Sequence, residues 1–254
     1  MARTARRALL AALLLTAAAR PAPARAGNKA DAFEGKIQPI SGQLYGKAGR
    51  FELTPFGQLS VNDAFFKKYF GGLKATYHLG EFWSVGASYA TGGTARTGSA
   101  VVCPANQGCH PASAAELYQV PGRIRSVAGL EVSWAPIYGK LNVLAEKVAH
   151  FDLALSVGAD VVTHDEVLST EEAVSLGLKP AAKSTVGGHV GLGARFFLSE
   201  AVAIRLEFRD LIYRLDVPNR AGSGQGAADV QNQLFTEVGV SIFFPFTARA
   251  GRSP

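Results

Sequence analysis

Residues 231–246 read QNQLFTEVGVSIFFPF, and they alternate without a break. Leu234, Thr236, Val238, Val240, Ile242, Phe244 and Phe246 fall on one face, with Gln233, Phe235, Glu237, Gly239, Ser241 and Phe243 on the other. A period of two marks a β-strand, whose successive side chains point to opposite sides. One face is almost wholly apolar and the other is mixed, so this strand separates two different solvents. Together with the first 26 residues, it points to lipid on one side and a polar barrel interior on the other.

The amino-terminal segment carries Arg3, Arg6 and Arg7, the apolar run ALLAALLLTAAA at 8–19, and the small-residue site Ala24-Arg25-Ala26. This is the pattern of a secretory signal peptide cut before Gly27. Its core is shorter than the roughly 20 residues a helix needs to span a bilayer, and no cysteine follows it to accept a lipid. The leader holds five of the 26 Lys and Arg and none of the 20 Asp and Glu, so the mature chain carries 21 against 20, or +1. The basic character therefore belongs to the leader and gives no ground for a nucleic-acid partner.

The remaining 228 of 254 residues contain no run of 18 apolar residues, which excludes a helical span. Glycine, at 28 of 254, is about 11% against a usual 7%, and most glycines sit inside strand-like alternation. Seven further segments alternate: 50–61, 69–79, 82–94 and 122–134, then Leu153 to Val161, Val186 to Phe196 and Val202 to Phe208. In the fourth, Ile124, Ala128, Leu130, Val132 and Trp134 oppose Arg125, Gly129, Glu131 and Ser133. The expectation is an all-β fold, an eight-stranded antiparallel up-and-down transmembrane β-barrel. Its parts are a signal peptide at 1–26, a periplasmic amino-terminal arm at 27–49, the outer-membrane barrel at 50–246 and a carboxy-terminal tail at 247–254.

Connection lengths agree with the short inner turns and long outer loops of membrane barrels. Gly80-Glu81 and Ser199-Glu200 are tight, while 95–121, 164–184 and 217–230 are long and polar. Residues 135–149 read as a long inner turn and 62–68 as a short outer loop. Ser169 followed by Glu172 makes a capping box, with Gly177 and Pro180 ending a helical turn. Aromatics gather as two belts. Phe51, Tyr77, Phe82, Trp83, Trp134, Phe151, Phe196, Phe197, Phe244 and Phe246 lie near inner strand ends; Tyr69, Phe70, Tyr89, Tyr213 and Phe235 lie near outer ones.

With the apolar face outward, the interior receives Glu52, Lys74, His78, Arg125, Glu131, Asp152, Asp160, His189, Arg195, Arg205, Glu207, Arg209 and Glu237. Charges of both signs in an eight-strand barrel suggest a paired network that fills the lumen, with a narrow or gated ion path as the alternative. The predicted network centres on Glu52, Arg125, Glu131, His189, Arg195, Arg205, Glu207 and Arg209. Cys103 and Cys109, the only two cysteines, predict a loop disulfide; a metal site using them with His110 lacks a nearby fourth ligand. No histidine precedes the x-Ser spacing of outer-membrane phospholipase or lipid A deacylase barrels. His164-Asp165-Glu166 lacks the spaced aspartate pairs of omptin-type proteases. Gly222-Ser223-Gly224-Gln225-Gly226 reads as a loop tip, since no GK[ST] follows. No catalytic, cofactor-binding or metal residue is assigned, and no cofactor is expected.

The whole pattern, over 50–246, resembles the small bacterial outer-membrane β-barrel domain family, in the OmpA-transmembrane or OmpX-like group. FELTPFGQLSVNDAFFKKYFGGLKATYHLGEFWSVGASYATG, at 51–92, is similar to the opening of proteins described as outer membrane beta-barrel domain proteins. Glu237, Gly239, Ile242 and Phe244 resemble the β-signal read by the outer-membrane insertion machinery, and the chain departs from it by continuing through Pro245, Phe246 and 247–254. The resemblance implies residence in the outer membrane of a Gram-negative bacterium, with outer-membrane lipid and the insertion machinery as partners. It implies a structural or surface-interaction role with no open pore, and names no ligand. Two other readings use the same residues: a lipid-modifying outer-membrane enzyme, and a soluble lipocalin-like barrel with the apolar face inward.

Overall fold

The computed structural model describes residues 44–246 except 62, 64, 104–107, 114–115, 121, 144–146, 169–176, 178 and 218–226. The leader, the arm before residue 44, the tail, and the Ser169–Glu172 and Gly222–Gly226 motifs lie outside the described residues. In chain order the strands are β1 (Phe51–Ser60), β2 (Phe66–His78), β3 (Trp83–Arg96), the short β4 (Val101–Val102) and β5 (His110–Pro111), β6 (Ile124–Val143), β7 (Lys147–Asp165), β8 (Ala182–Phe197), β9 (Val202–Val217) and β10 (Ala227–Phe244). All except β4 and β5 form one closed barrel in the order β1-β10-β9-β8-β7-β6-β3-β2. Each wall strand is antiparallel to its neighbours, and β1 seals the ring on β10 through pairs such as Leu53↔Ile242. Closure leaves no free edge along most of the wall, as lipid requires of any sheet that spans it.

The alternation resolves into an inside-out molecule. Leu130 is 68% exposed, Val157 59% and Val186 73%, whereas Lys74, Glu52, Glu207 and Glu237 on the opposite faces are buried. A soluble barrel would reverse that distribution. Small inward residues make room for the large charged ones. A Cβ on Gly158 would overlap the His189 ring and the Leu130 carbonyl, and one on Gly129 would overlap the Asp160 carboxylate.

Two β-bulges account for the main departures from the expected strand pattern. The β6–β7 register shifts between Trp134 and Ile137, where Pro136 interrupts pairing, as proline does at bulges. Outward positions then pass from Trp134 to Ile137, so a fixed period read across Pro136 loses the strand. Residues 135–149 are therefore not a long turn: the strands pair through to Val143↔Lys147, and the hairpin extends well past the inner belt. A second shift lies between Ile124 and Ser126. It turns Ile124 inward, where it is buried, and throws Arg125 outward.

The disulfide Cys103–Cys109 is formed, in the loop that carries the β4–β5 ribbon (Val102↔His110). A short helical turn, Glu116–Gln119, follows it and is capped reciprocally. The Ser113 amide donates to the Glu116 carboxylate (2.7 Å) and the Glu116 amide to the Ser113 hydroxyl (3.3 Å). The Ser113 backbone amide, and after it the Ser113 side chain, hold the Glu116 carboxyl below its usual range. Closing so short a loop removes on the order of 2 kcal/mol of unfolded-chain entropy, and no barrel strand depends on it. Reduction is expected to leave heat-modifiable gel migration unchanged while exposing 95–121 to protease; loss of the folded band on reduction would contradict this.

Candidate functional site

The interior is built in layers. At mid-height Lys74 on β2 reaches Glu207 at 2.9 Å, Glu237 at 3.1 Å and Glu131 at 3.4 Å. Arg205 meets Glu207 at 2.7 Å and Glu131 at 3.4 Å, and Arg209 meets Glu131 at 2.6 Å. Towards the inner end, Arg195 bridges Glu52 and Asp152, each at 2.9 Å. Glu52 also takes a hydrogen bond from the Ser241 hydroxyl at 2.5 Å and lies 2.7 Å from His78 Nε2. His189 sits between carboxylates, with Nδ1 2.5 Å from Asp160 and Nε2 3.5 Å from Glu131. The structure thus brings Glu52, Glu131, His189, Arg195, Arg205, Glu207 and Arg209 into one network, joined by Lys74, His78, Asp152, Asp160 and Glu237.

Arg125 is not in it. Its side chain is 51% exposed and pairs with Asp165 at the outer rim, because the bulge reverses its direction.

Above the charged layer, towards the outer end, the lumen carries an apolar layer, and beyond it buried Lys68 pairs with Asp63 and donates to Gln233 at 2.6 Å. Phe56, Phe70, Ala90, Val127, Val162, Leu211 and Phe235 form one buried cluster with Ile124, Tyr213 and Leu215. Phe70 and Phe235 meet edge-on, with centroids 5.8 Å apart. Phe70, Tyr213 and Phe235 therefore do not belong to the outer membrane belt, which is left with Tyr69 and Tyr89, both exposed. At the inner belt Phe197 likewise turns inside and packs with Phe243 and Ala203, while Phe51, Phe82, Trp83, Trp134, Phe244 and Phe246 face outward.

Residues 44–50 are anchored at the inner mouth. Arg50 donates to the carbonyls of Gly46 (3.1 Å), Glu200 (2.8 Å) and Pro245 (2.7 Å). It ties the arm to the β8–β9 turn and to the end of β10. Lys47 enters the lumen and pairs with Asp152, and Tyr45 stacks on Phe197 at 5.3 Å. Lys47 lies before the first alternating residue, so no strand pattern could have found it.

The network leaves little space. Two lumen cavities, beside Arg195–Arg205–Glu207 and beside Phe56–Arg209–Phe235, measure about 10 Å³ each, room for single waters. Of the buried histidines, His78 lies against the Glu52 carboxylate and His189 against that of Asp160. The metal alternative fails on its donors, since both sulfurs are bonded to each other and His110 lies 3.4 Å from Glu116.

No protein-family model matches the chain, and no curated protein matches it. Among solved structures it is similar to the N-terminal β-barrel domain of Pseudomonas aeruginosa OprF, at 10% identity over 78% of this chain and 99% of that one, TM-score 0.45. It is similar to the outer membrane protein OprG from Pseudomonas aeruginosa at 14% identity, over 80% of this chain and 98% of that one, TM-score 0.41. Neisserial surface protein A matches at 10% identity, over 76% of this chain and 94% of that one, TM-score 0.36.

Proposed function

We propose that this chain is an integral outer-membrane β-barrel of a Gram-negative bacterium, with a structural or surface-interaction role in the envelope and no open pore. The observation that carries the reading is the inverted placement of polarity, with an apolar wall outside and a salt-bridged interior. Lipid is the solvent that rewards that wall, and a lipocalin-like barrel would need its apolar face around the lumen. The filled interior supports a role performed at the surface. Two barriers in series close it, the charged layer and the apolar layer of Phe56, Phe70, Leu211 and Phe235. The β-signal resemblance of Glu237, Gly239, Ile242 and Phe244 supports the insertion machinery as a partner during assembly.

Cell fractionation tests placement: the chain is expected in the detergent-extracted outer-membrane fraction, and release into the soluble periplasm would contradict the reading. Planar-bilayer recording tests the seal. The folded protein is expected to show no sustained open level, and a stable ohmic conductance would overturn the closed-lumen role. A deletion strain is expected to lose envelope integrity or surface attachment without a defect in solute uptake.

A further inference from the structure

The wall is not hydrogen-bonded along its full height. β8 pairs with β9 from Phe197↔Ala203 up to Gly187↔Tyr213 and no further. Beyond that point Ala182 to Val186 stay paired with β7, and Arg214 to Val217 stay paired with β10. The two hairpins therefore separate at the outer end. Between them lies a cavity of about 410 Å³ lined by His164, Glu166, Lys183, Ser184, Thr185 and Arg214. That volume is within the range of small-ligand sites.

The height of this cleft on the barrel matters. Val186 and Ile212 are exposed apolar positions on the outward face, and the next outward positions are Ser184 and Arg214. The cleft opens sideways where the apolar surface ends, which is the headgroup level of a membrane-embedded barrel. Its charge is also informative. Glu166, its one carboxylate, is engaged by Lys183. The adjacent Asp165 is held by Arg123, at 3.3 Å, and by Arg125. Arg214 makes no ion pair or hydrogen bond among the described residues. The local carboxylates are matched, while Arg214, His164, Ser184 and Thr185 line the same space, the Ser184 hydroxyl lying 3.1 Å from that of Thr163.

We infer that this cleft holds the phosphate of a phosphorylated lipid headgroup, with Arg214 as its bidentate donor and Lys183, Ser184 and Thr185 completing the contacts. A phosphate monoester offers several acceptor oxygens in the geometry that an arginine fork matches. The lateral opening lets the acyl chains remain beside Val186 and Ile212.

The inference rests on the membrane placement proposed above, and the test separates the two. The full mature chain, folded in detergent micelles, is titrated with bisphosphorylated lipid A, dephosphorylated lipid A and inorganic phosphate, with retention read by native mass spectrometry. Phosphorylated lipid is expected to be retained over its dephosphorylated form, and Arg214→Ala to weaken retention about tenfold, the size of one charge-assisted contact. Arg214→Lys should recover part of the loss, and the variants should keep wild-type heat-modifiable migration. Equal retention of both lipids, or no effect of Arg214→Ala, would overturn the inference while leaving the membrane reading intact. Phosphate competing as well as the lipid would move the site to a soluble phosphate ester and overturn the lipid assignment. Amide exchange showing the β9-facing amides of 182–186, which β7 does not bond, protected regardless of lipid would point to an inserted peptide strand and likewise overturn it. Failure of the wild type to enter micelles or vesicles would instead sink the membrane placement.

Discussion

Replacing Lys74 by methionine is expected to destabilise the folded barrel by about 3–5 kcal/mol, the cost of removing one partner from a buried ion pair. Lys74 is fully buried, and its ammonium lies among Glu131, Glu207 and Glu237. Arg205 and Arg209 still serve Glu131 and Glu207 when it is gone. Glu237 has no other cation partner among the described residues. The double variant Lys74→Met with Glu237→Gln should therefore recover much of the loss, because the uncompensated charge goes with its partner. Urea unfolding in lipid vesicles measures both. A Lys74→Met loss below about 1 kcal/mol, the range of exposed pairs, would mean the lumen is hydrated enough to screen these charges.

Leu130→Arg is expected to cost about 2–4 kcal/mol of folding free energy, the range for arginine at the midplane of a barrel's lipid face. Leu130 pairs laterally with Ala87 and Ala159, between Trp134 of the inner belt and the Tyr89↔Ala128 pair of the outer one. Val157→Arg should behave alike, since Val157 is outward and pairs with Val132 and Val190. Ser133→Arg tests the other face. Ser133 is buried, so a guanidinium there must find a carboxylate in a filled lumen, and its penalty should not vary with bilayer thickness. Folding titrations in vesicles of different chain length separate the cases. Free tolerance of arginine at Leu130 and Val157 would show that these faces do not meet lipid.

How much of this was legible in the sequence depended on whether the alternation ran unbroken. β10 was readable throughout because no bulge interrupts it, and its faces in the structure follow the sequence: Glu237 and Ser241 inside, Val238 and Val240 outside. β6 was readable only between its two bulges, and beyond them the period slips by one. That slip misplaced Arg125 and concealed the long inner hairpin.

The interior charges were legible by parity. The apolar outer layer was not recognised, although Phe235 shares parity with Glu237, and Phe70 with Lys74. Period two tells which side a residue faces but not what its neighbours on that side are, so the sequence alone does not separate a belt from rings that fill the lumen. Lys47 and Arg50 were beyond reach for a different reason. Their positions are set by tertiary contacts of the arm, which no local pattern encodes.

The central claim is that the apolar wall faces lipid, and the protein's own two tryptophans can test it without modification. Trp83 and Trp134 are cross-strand partners, their rings 6.1 Å apart and both on the outward inner belt. Fluorescence of the wild-type chain folded into vesicles containing brominated lipids is the most direct measurement. The account predicts strong quenching by bromines placed shallow in the acyl chains, weaker quenching by deep bromines, and little by aqueous iodide. Full accessibility to iodide with no quenching from any brominated lipid would contradict it.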